Sequence, residues 1–261
     1  MDIVMLISLI FSFAALVVAF ILEGGAPDKL LQLTAAMIVF GGTFGVVGVS
    51  FPGSTLKKVP KLIMKVFFNK KIDRVEILNT FMALANIARK EGLLALEHEL
   101  EKREMDDFIS TGLRLVIDGA DEEVVRQILE TRIINMEHRH EQGIALFEAA
   151  GGYAPTMGVI GTVMGLISVL GELGGGDSAE LGEKIGVAFI ATLYGVGSAN
   201  ILWLPIATKL KELNADEVMA KNMMLEGIQL LRGGSNPAFM REQLKGYLEN
   251  EKEGQAEEGE Q

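Results

Sequence analysis

Ile3-Val4-Met5-Leu6-Ile7-Ser8-Leu9-Ile10-Phe11-Ser12-Phe13-Ala14-Ala15-Leu16-Val17-Val18-Ala19-Phe20-Ile21-Leu22 runs twenty residues without a charge. At 1.5 Å per residue that is long enough to cross a bilayer as a helix, and each Leu, Ile, Val or Phe favours insertion by roughly 0.3–0.6 kcal/mol. A cleaved signal peptide is the competing reading. The stretch lacks a basic n-region, exceeds an h-region in length, and ends in Glu23-Gly24-Gly25 without a small-x-small site, so a retained membrane helix is expected. Three further charge-free stretches follow, at Leu30 to Leu56, Ala149 to Gly171 and Ile185 to Thr208. The chain therefore alternates between two solvents, and four transmembrane helices are expected.

Orientation follows from the basic residues. Lys57, Lys58, Lys61, Lys65, Lys70, Lys71 and Arg74 follow the second stretch and Lys209 and Lys211 the fourth, whereas the loops after the first and third hold only Lys29 and Lys184 among six acids. The excess of lysine and arginine marks the cytoplasmic side. Both termini and the segment from about 52 to 148 are thus expected in the cytoplasm. Four segments result: 1–51 with spans one and two, 52–148 as a helical cytoplasmic domain, 149–209 with spans three and four, and 210–261 as a cytoplasmic helix with an acidic tail.

Within 52–148, Val59 to Phe68 mixes apolar residues and lysines at helical spacing, the pattern of a helix in the headgroup plane. Ile77, Leu78, Phe81, Met82, Leu84, Ala85 and Ile87 recur with helical period before a charged run from Arg89 to Glu104. Gly112 to Asp118 and Val124 to Ile134 read as further helices, the latter behind an acidic Asp121-Glu122-Glu123 start. No alternating strand pattern occurs. Glu249 to Gln261 has almost no apolar residue and is expected to be disordered.

Composition limits the chemistry. A net charge of −11 opposes a nucleic-acid partner, and the absence of cysteine removes disulfides, thiolate metal sites and cysteine nucleophiles. His138 and His140 diverge by about 200° on a helix, so they do not share a metal ion. No phosphate loop or nucleophile motif is present. An enzyme is not expected, and no metal site is identified.

No Asp, Glu, Lys, Arg or His lies within the four stretches, although ionisable groups at membrane depth mark ion pathways. Either the chain is a passive anchor, or it lines an ion path whose carboxylate comes from another subunit. The third and fourth spans favour the second. Pro155, Gly158, Thr162 and Gly165 share one helical face. The fourth span holds Thr192, Ser198, Asn200 and Pro205, and the proline leaves the Ile201 carbonyl without its usual donor. The alternative for each threonine is a hydroxyl that bonds back to its own helix. With no other evident partner for the small-residue faces, spans three and four are expected to face a helix of another protein.

Tyr153-Ala154-Pro155-Thr156-Met157-Gly158-Val159-Ile160-Gly161-Thr162-Val163-Met164-Gly165-Leu166, with Ala188 to Gly195 and Leu204 to Leu210, resembles the third and fourth membrane helices of the MotA/PomA flagellar stator subunits, of the MotA/TolQ/ExbB ion-channel superfamily. Ala88 to Glu97 resembles their rotor-facing segment. The resemblance covers nearly the whole chain apart from the tail. It implies an all-α integral protein of the bacterial inner membrane, a ring of five around a MotB-like single-span subunit that carries the ion-binding aspartate and grips peptidoglycan, and torque on the rotor protein FliG.

On that pattern Arg89 and Glu97 contact the rotor, Pro155 and Pro205 couple ion passage to movement, Thr162 and Thr192 line the ion path, and Gly158, Gly161 and Gly165 pack helices. Arg89 and Glu97 are expected about 80° apart on one continuous helix. No cofactor is expected, only a transported ion. Threonine at both ion-path positions resembles the sodium-driven members, where proton-driven ones usually have alanine in place of Thr162; sodium is therefore preferred, with protons the alternative. TolQ- and ExbB-like channels of outer-membrane processes resemble the same helices but have three spans, with most of their cytoplasmic mass after the first. A solute transporter subunit would be expected to show repeats or interrupted substrate helices, and no repeat is found between the halves.

Overall fold

The computed structural model describes residues 3–69, 71–102, 105–172 and 178–248, and the regular elements among them are all helical. The outer connection containing Gly174-Gly175-Gly176 and the acidic tail from Glu249 lie outside the described residues. Among the described residues, four helices are long and apolar enough to cross a membrane. The chain divides into two compact units, Met1–Asn69 with His140–Glu212, and Lys70–Arg139 with Leu213–Gln261.

The first unit begins with α1 (Ile3–Leu22), which has no buried residue. A helix apolar on all sides and exposed on all sides is matched to lipid rather than water. The second span is α2 (Leu33–Ala36), running through a π turn (Met37–Gly41) into α3 (Gly42–Ser50). The uncharged stretch to Leu56 does not form one helix. Phe51 is extended, with φ −123° and ψ 146°, because a residue before proline is driven out of the α region; here that proline is Pro52. A short α4 (Gly53–Leu56) and α5 (Val59–Phe67) follow.

In α5, Val66 is fully buried and Leu62 and Ile63 pack against the cluster around Phe147, Ile144 and Leu210, while Lys57, Lys58 and Lys61 are exposed. The residues expected as separate helices at Val124–Ile134 and in the third span are one helix, α9 (Glu122–Glu172), with Pro155 inside it. The fourth span is α10 (Ser178–Ser198), a second π turn (Ala199–Trp203), and α11 (Leu204–Arg232).

The second unit is built from α6 (Arg74–Glu91), α7 (Leu96–Lys102), α8 (Asp107–Ile117), the start of α9, the end of α11 and α12 (Pro237–Lys245). Asp73 and Asp106 accept hydrogen bonds from the first-turn N–H groups of α6 and α8, and Asn236 does so for α12, each satisfying a donor that the helix itself leaves unpaired. Leu78, Phe81, Leu113, Leu129, Met223, Ile228, Met240 and Leu244 form the core. Arg74 is buried there, donating to Asp216 Oδ1 at 2.7 Å and to the Tyr247 carbonyl at 3.2 Å. A half-exposed carboxylate contributes at most about 1 kcal/mol through such a pair. The pair matters more because an unpartnered guanidinium would be costly to bury. Burial raises the pKa of the Tyr247 phenol, with Glu226 adding to the shift.

Candidate ion path and helix seam

The third and fourth spans meet along matched small residues. A methyl group at Gly195 would lie 2.5 Å from the Ala154 carbonyl oxygen and 3.0 Å from Gly158 Cα, and one at Gly158 would lie 2.8 Å from the Ala191 carbonyl oxygen. At Gly161 and Gly165 it would meet the Ala191 and Ala188 methyls, each at 2.6 Å. Backbone therefore touches backbone, the packing available to helices that lack a hydrophobic drive toward each other. The expectation that these glycines await a helix from another protein is corrected: their counterpart is the Ala188, Ala191, Thr192 and Gly195 stripe of α10. That stripe has spacings of three, one and three, a regularity that identifies it as the counterpart only once α9 and α10 are known to be neighbours. In the second span, Gly41 and Gly45 stand four residues apart but have open space around them, whereas Gly42 abuts Met157.

The seam brings the two threonines together. Thr162 Oγ1 and Thr192 Oγ1 are 2.5 Å apart. The Thr162 hydroxyl is also 2.9 Å from the Ala188 carbonyl and 3.2 Å from the Gly158 carbonyl of its own helix, and Thr192 Oγ1 is 3.4 Å from the same Gly158 oxygen. Four oxygens thus converge, with only two hydroxyl protons among them, so the hydroxyl oxygens keep lone pairs that no donor among the described residues fills. Both threonines are half-buried. The back-bond to Gly158 foreseen as an alternative coexists with the contact between the two hydroxyls.

Pro155, half-buried in α9, withholds a donor from the Gly151 carbonyl. Pro205 lies two residues beyond the π turn, at whose end the Leu204 N–H donates to the Ala199 carbonyl five residues back. The wider turn shifts the hydrogen-bond ladder just before the proline ring, and such bulges recur at functional sites. The proline is evident in the sequence and the π turn is not. Nor does the sequence reveal the contacts of Tyr194, whose hydroxyl donates to the Leu30 carbonyl at 2.5 Å and accepts from the Gln32 N–H at 3.2 Å.

Arg89 and Glu97 are both exposed, but they do not share a continuous helix. α6 ends at Glu91, Gly92 has φ +87°, and a 3-10 turn (Leu93–Ala95) leads into α7. That left-handed backbone is open to glycine and strained for other residues, so it breaks the helix between the two charges. Leu96, fully buried, and Leu93, packed on the core, hold the turn in place. His138 is exposed and His140 half-buried, and no group of three or more metal-ligating His, Asp or Glu occurs among the described residues.

Residues 100–223 match the model of the MotA/TolQ/ExbB proton channel family, and residues 6–92 that of the motility protein A N-terminal region. Motility protein A of Bacillus subtilis (strain 168) is 40% identical over 250 residues, covering 95% of this chain and 91% of the relative. The structure of C. jejuni MotAB superposes with a TM-score of 0.90 at 27% identity, covering 96% of this chain and 97% of its counterpart. The structure of the flagellar MotAB stator complex from Bacillus subtilis does so with a TM-score of 0.87 at 38% identity, covering 94% and 96%. These matches are to ion-channel subunits of the flagellar stator, not to enzymes. With both of its membrane-helix pairs and its N-terminal region matched, the chain belongs to the MotA/TolQ/ExbB family and, within it, to the motility protein A group.

Proposed function

We propose that the chain is the ring-forming subunit of a flagellar stator which, with a MotB-like single-span partner, couples cation flow across the inner membrane to torque on FliG, with sodium preferred over protons. The observation that carries this is the convergence of the Thr162 and Thr192 hydroxyls with the Gly158 and Ala188 carbonyls, in spans that contain no carboxylate of their own. Oxygen ligands replace the hydration shell of a metal cation entering a membrane protein, and the charge that balances it comes from the partner's aspartate. Two solved structures that the chain resembles are of MotAB, which supports such a partner. A proton-driven complex is the second reading, favoured by the 3.2 Å approach of Thr162 to its own helix carbonyl.

With the glycine seam closed within the chain, the surfaces left for the partner and for neighbouring copies in a ring of five are the exposed apolar residues of spans three and four, such as Val159, Val163, Phe189 and Val196. The basic residues after spans two and four put both termini in the cytoplasm. Segments 52–148 and 210–261 then lie on that side, with 1–51 and 149–209 in the membrane. Pro155 and Pro205 act where the helix ladder is interrupted, coupling ion passage to movement. The two spans before the first cytoplasmic mass, with the match over residues 6–92, favour the flagellar role over a TolQ- or ExbB-like one.

Arg89 and Glu97 engage the rotor from either side of the Gly92 turn. Arg89→Glu combined with Glu97→Lys is expected to impair swimming while membrane insertion and assembly stay normal, measured as swimming speed beside the abundance of the chain in isolated membranes. Wild-type motility in that double variant would refute the rotor contact.

A further inference from the structure

We propose that Tyr194 is a positioning residue that fixes the rotation of α10 and so holds Thr192 against Thr162; this rests on the reading of the threonine pair as the cation site. The Tyr194 hydroxyl grips the chain on both sides of Leu31, donating to the Leu30 carbonyl at 2.5 Å and accepting from the Gln32 N–H at 3.2 Å. Gln32 is the residue at which α2 starts, and no side chain of its own caps that start. A tyrosine from another span therefore satisfies a donor at the head of the second span, where unmet backbone groups are unfavourable. The ring is held as well, 6.1 Å from that of Phe40 and packed beside Ala35, Val39 and Ala191.

Residues two apart on a helix point about 200° from each other. With Tyr194 anchored to the second span, Thr192 is turned to the opposite side, toward α9, where its oxygen meets that of Thr162 at 2.5 Å. The fourth span is thus gripped on two opposite faces by hydrogen bonds to two different spans. Losing the tyrosine grip removes one of the two restraints on the rotation of α10, and such rotation alters the separation of the two hydroxyls.

Tyr194→Phe removes the oxygen and keeps the ring. In cells carrying the complete stator, swimming speed is measured against external sodium at fixed pH, with the membrane abundance of the chain followed in parallel. The expected result is a rise in half-saturating sodium of about fivefold, the ratio equivalent to one net hydrogen bond, with speed at saturating sodium and abundance little changed. An unchanged half-saturating concentration in Tyr194→Phe, beside a clear shift in Thr192→Ala, would overturn the proposal and leave the cation site standing. Reduced abundance without a shift would overturn it too, since the bond would then hold the fold and not the site. If neither Thr162→Ala nor Thr192→Ala alters sodium dependence, the cation-site reading fails, and with it the role assigned to Tyr194.

Discussion

Gly195→Val is expected to abolish motility, and Gly195→Ala to remove most of it. A Cβ at this position falls 2.5 Å from the Ala154 carbonyl oxygen, 3.0 Å from Gly158 Cα and 3.2 Å from the Ala154 carbonyl carbon. All three atoms belong to the backbone of α9, so no flexible side chain swings aside and the two helices must separate. Overpacking of this kind costs roughly 1–3 kcal/mol in well-packed interiors. The functional loss exceeds the loss of stability, because the same separation pulls apart hydroxyls that now lie 2.5 Å from each other. The check is swimming speed normalised to the amount of chain in the membrane. A Gly195→Val stator that accumulates and turns at normal speed would contradict the close seam.

Thr162→Ala is expected to abolish sodium-dependent rotation, while Thr162→Ser keeps it. The serine preserves an oxygen in reach of Thr192 and the Ala188 carbonyl; the alanine removes the one group that contacts both. A proton can pass along a carboxylate and water, but a sodium ion that sheds its water needs several oxygens in its place. Rotation speed of tethered cells across a range of sodium concentrations distinguishes the cases. Equal sodium dependence in wild type and Thr162→Ala would mean that the hydroxyl only bonds within the protein.

The membrane architecture was legible because it depends on composition over twenty-residue windows, and all four spans lie where charge is absent. The local terminations of helices were less so. Phe51-Pro52 ends the second span within an uncharged stretch, and Gly92 divides α6 from α7 inside a charged run; both are single-residue backbone effects that hydropathy does not register. The threonine pair and the three glycines of the third span were visible as types and spacings. Their counterpart was not, because the face formed by Ala188, Ala191 and Gly195 becomes a counterpart only once α9 and α10 are known to be neighbours. Tyr194 was invisible for the same reason: its partners are main-chain atoms of Leu30 and Gln32, some 160 residues away in sequence.

On the function proposed above, this chain converts a sodium gradient into rotation through the Thr162–Thr192 site. The most direct test is swimming speed against external sodium at fixed pH, with a protonophore added separately, in cells whose only stator contains this chain and its single-span partner. Speed is expected to rise and saturate with sodium and to survive the protonophore. Motility that persists without sodium and collapses with the protonophore would contradict it.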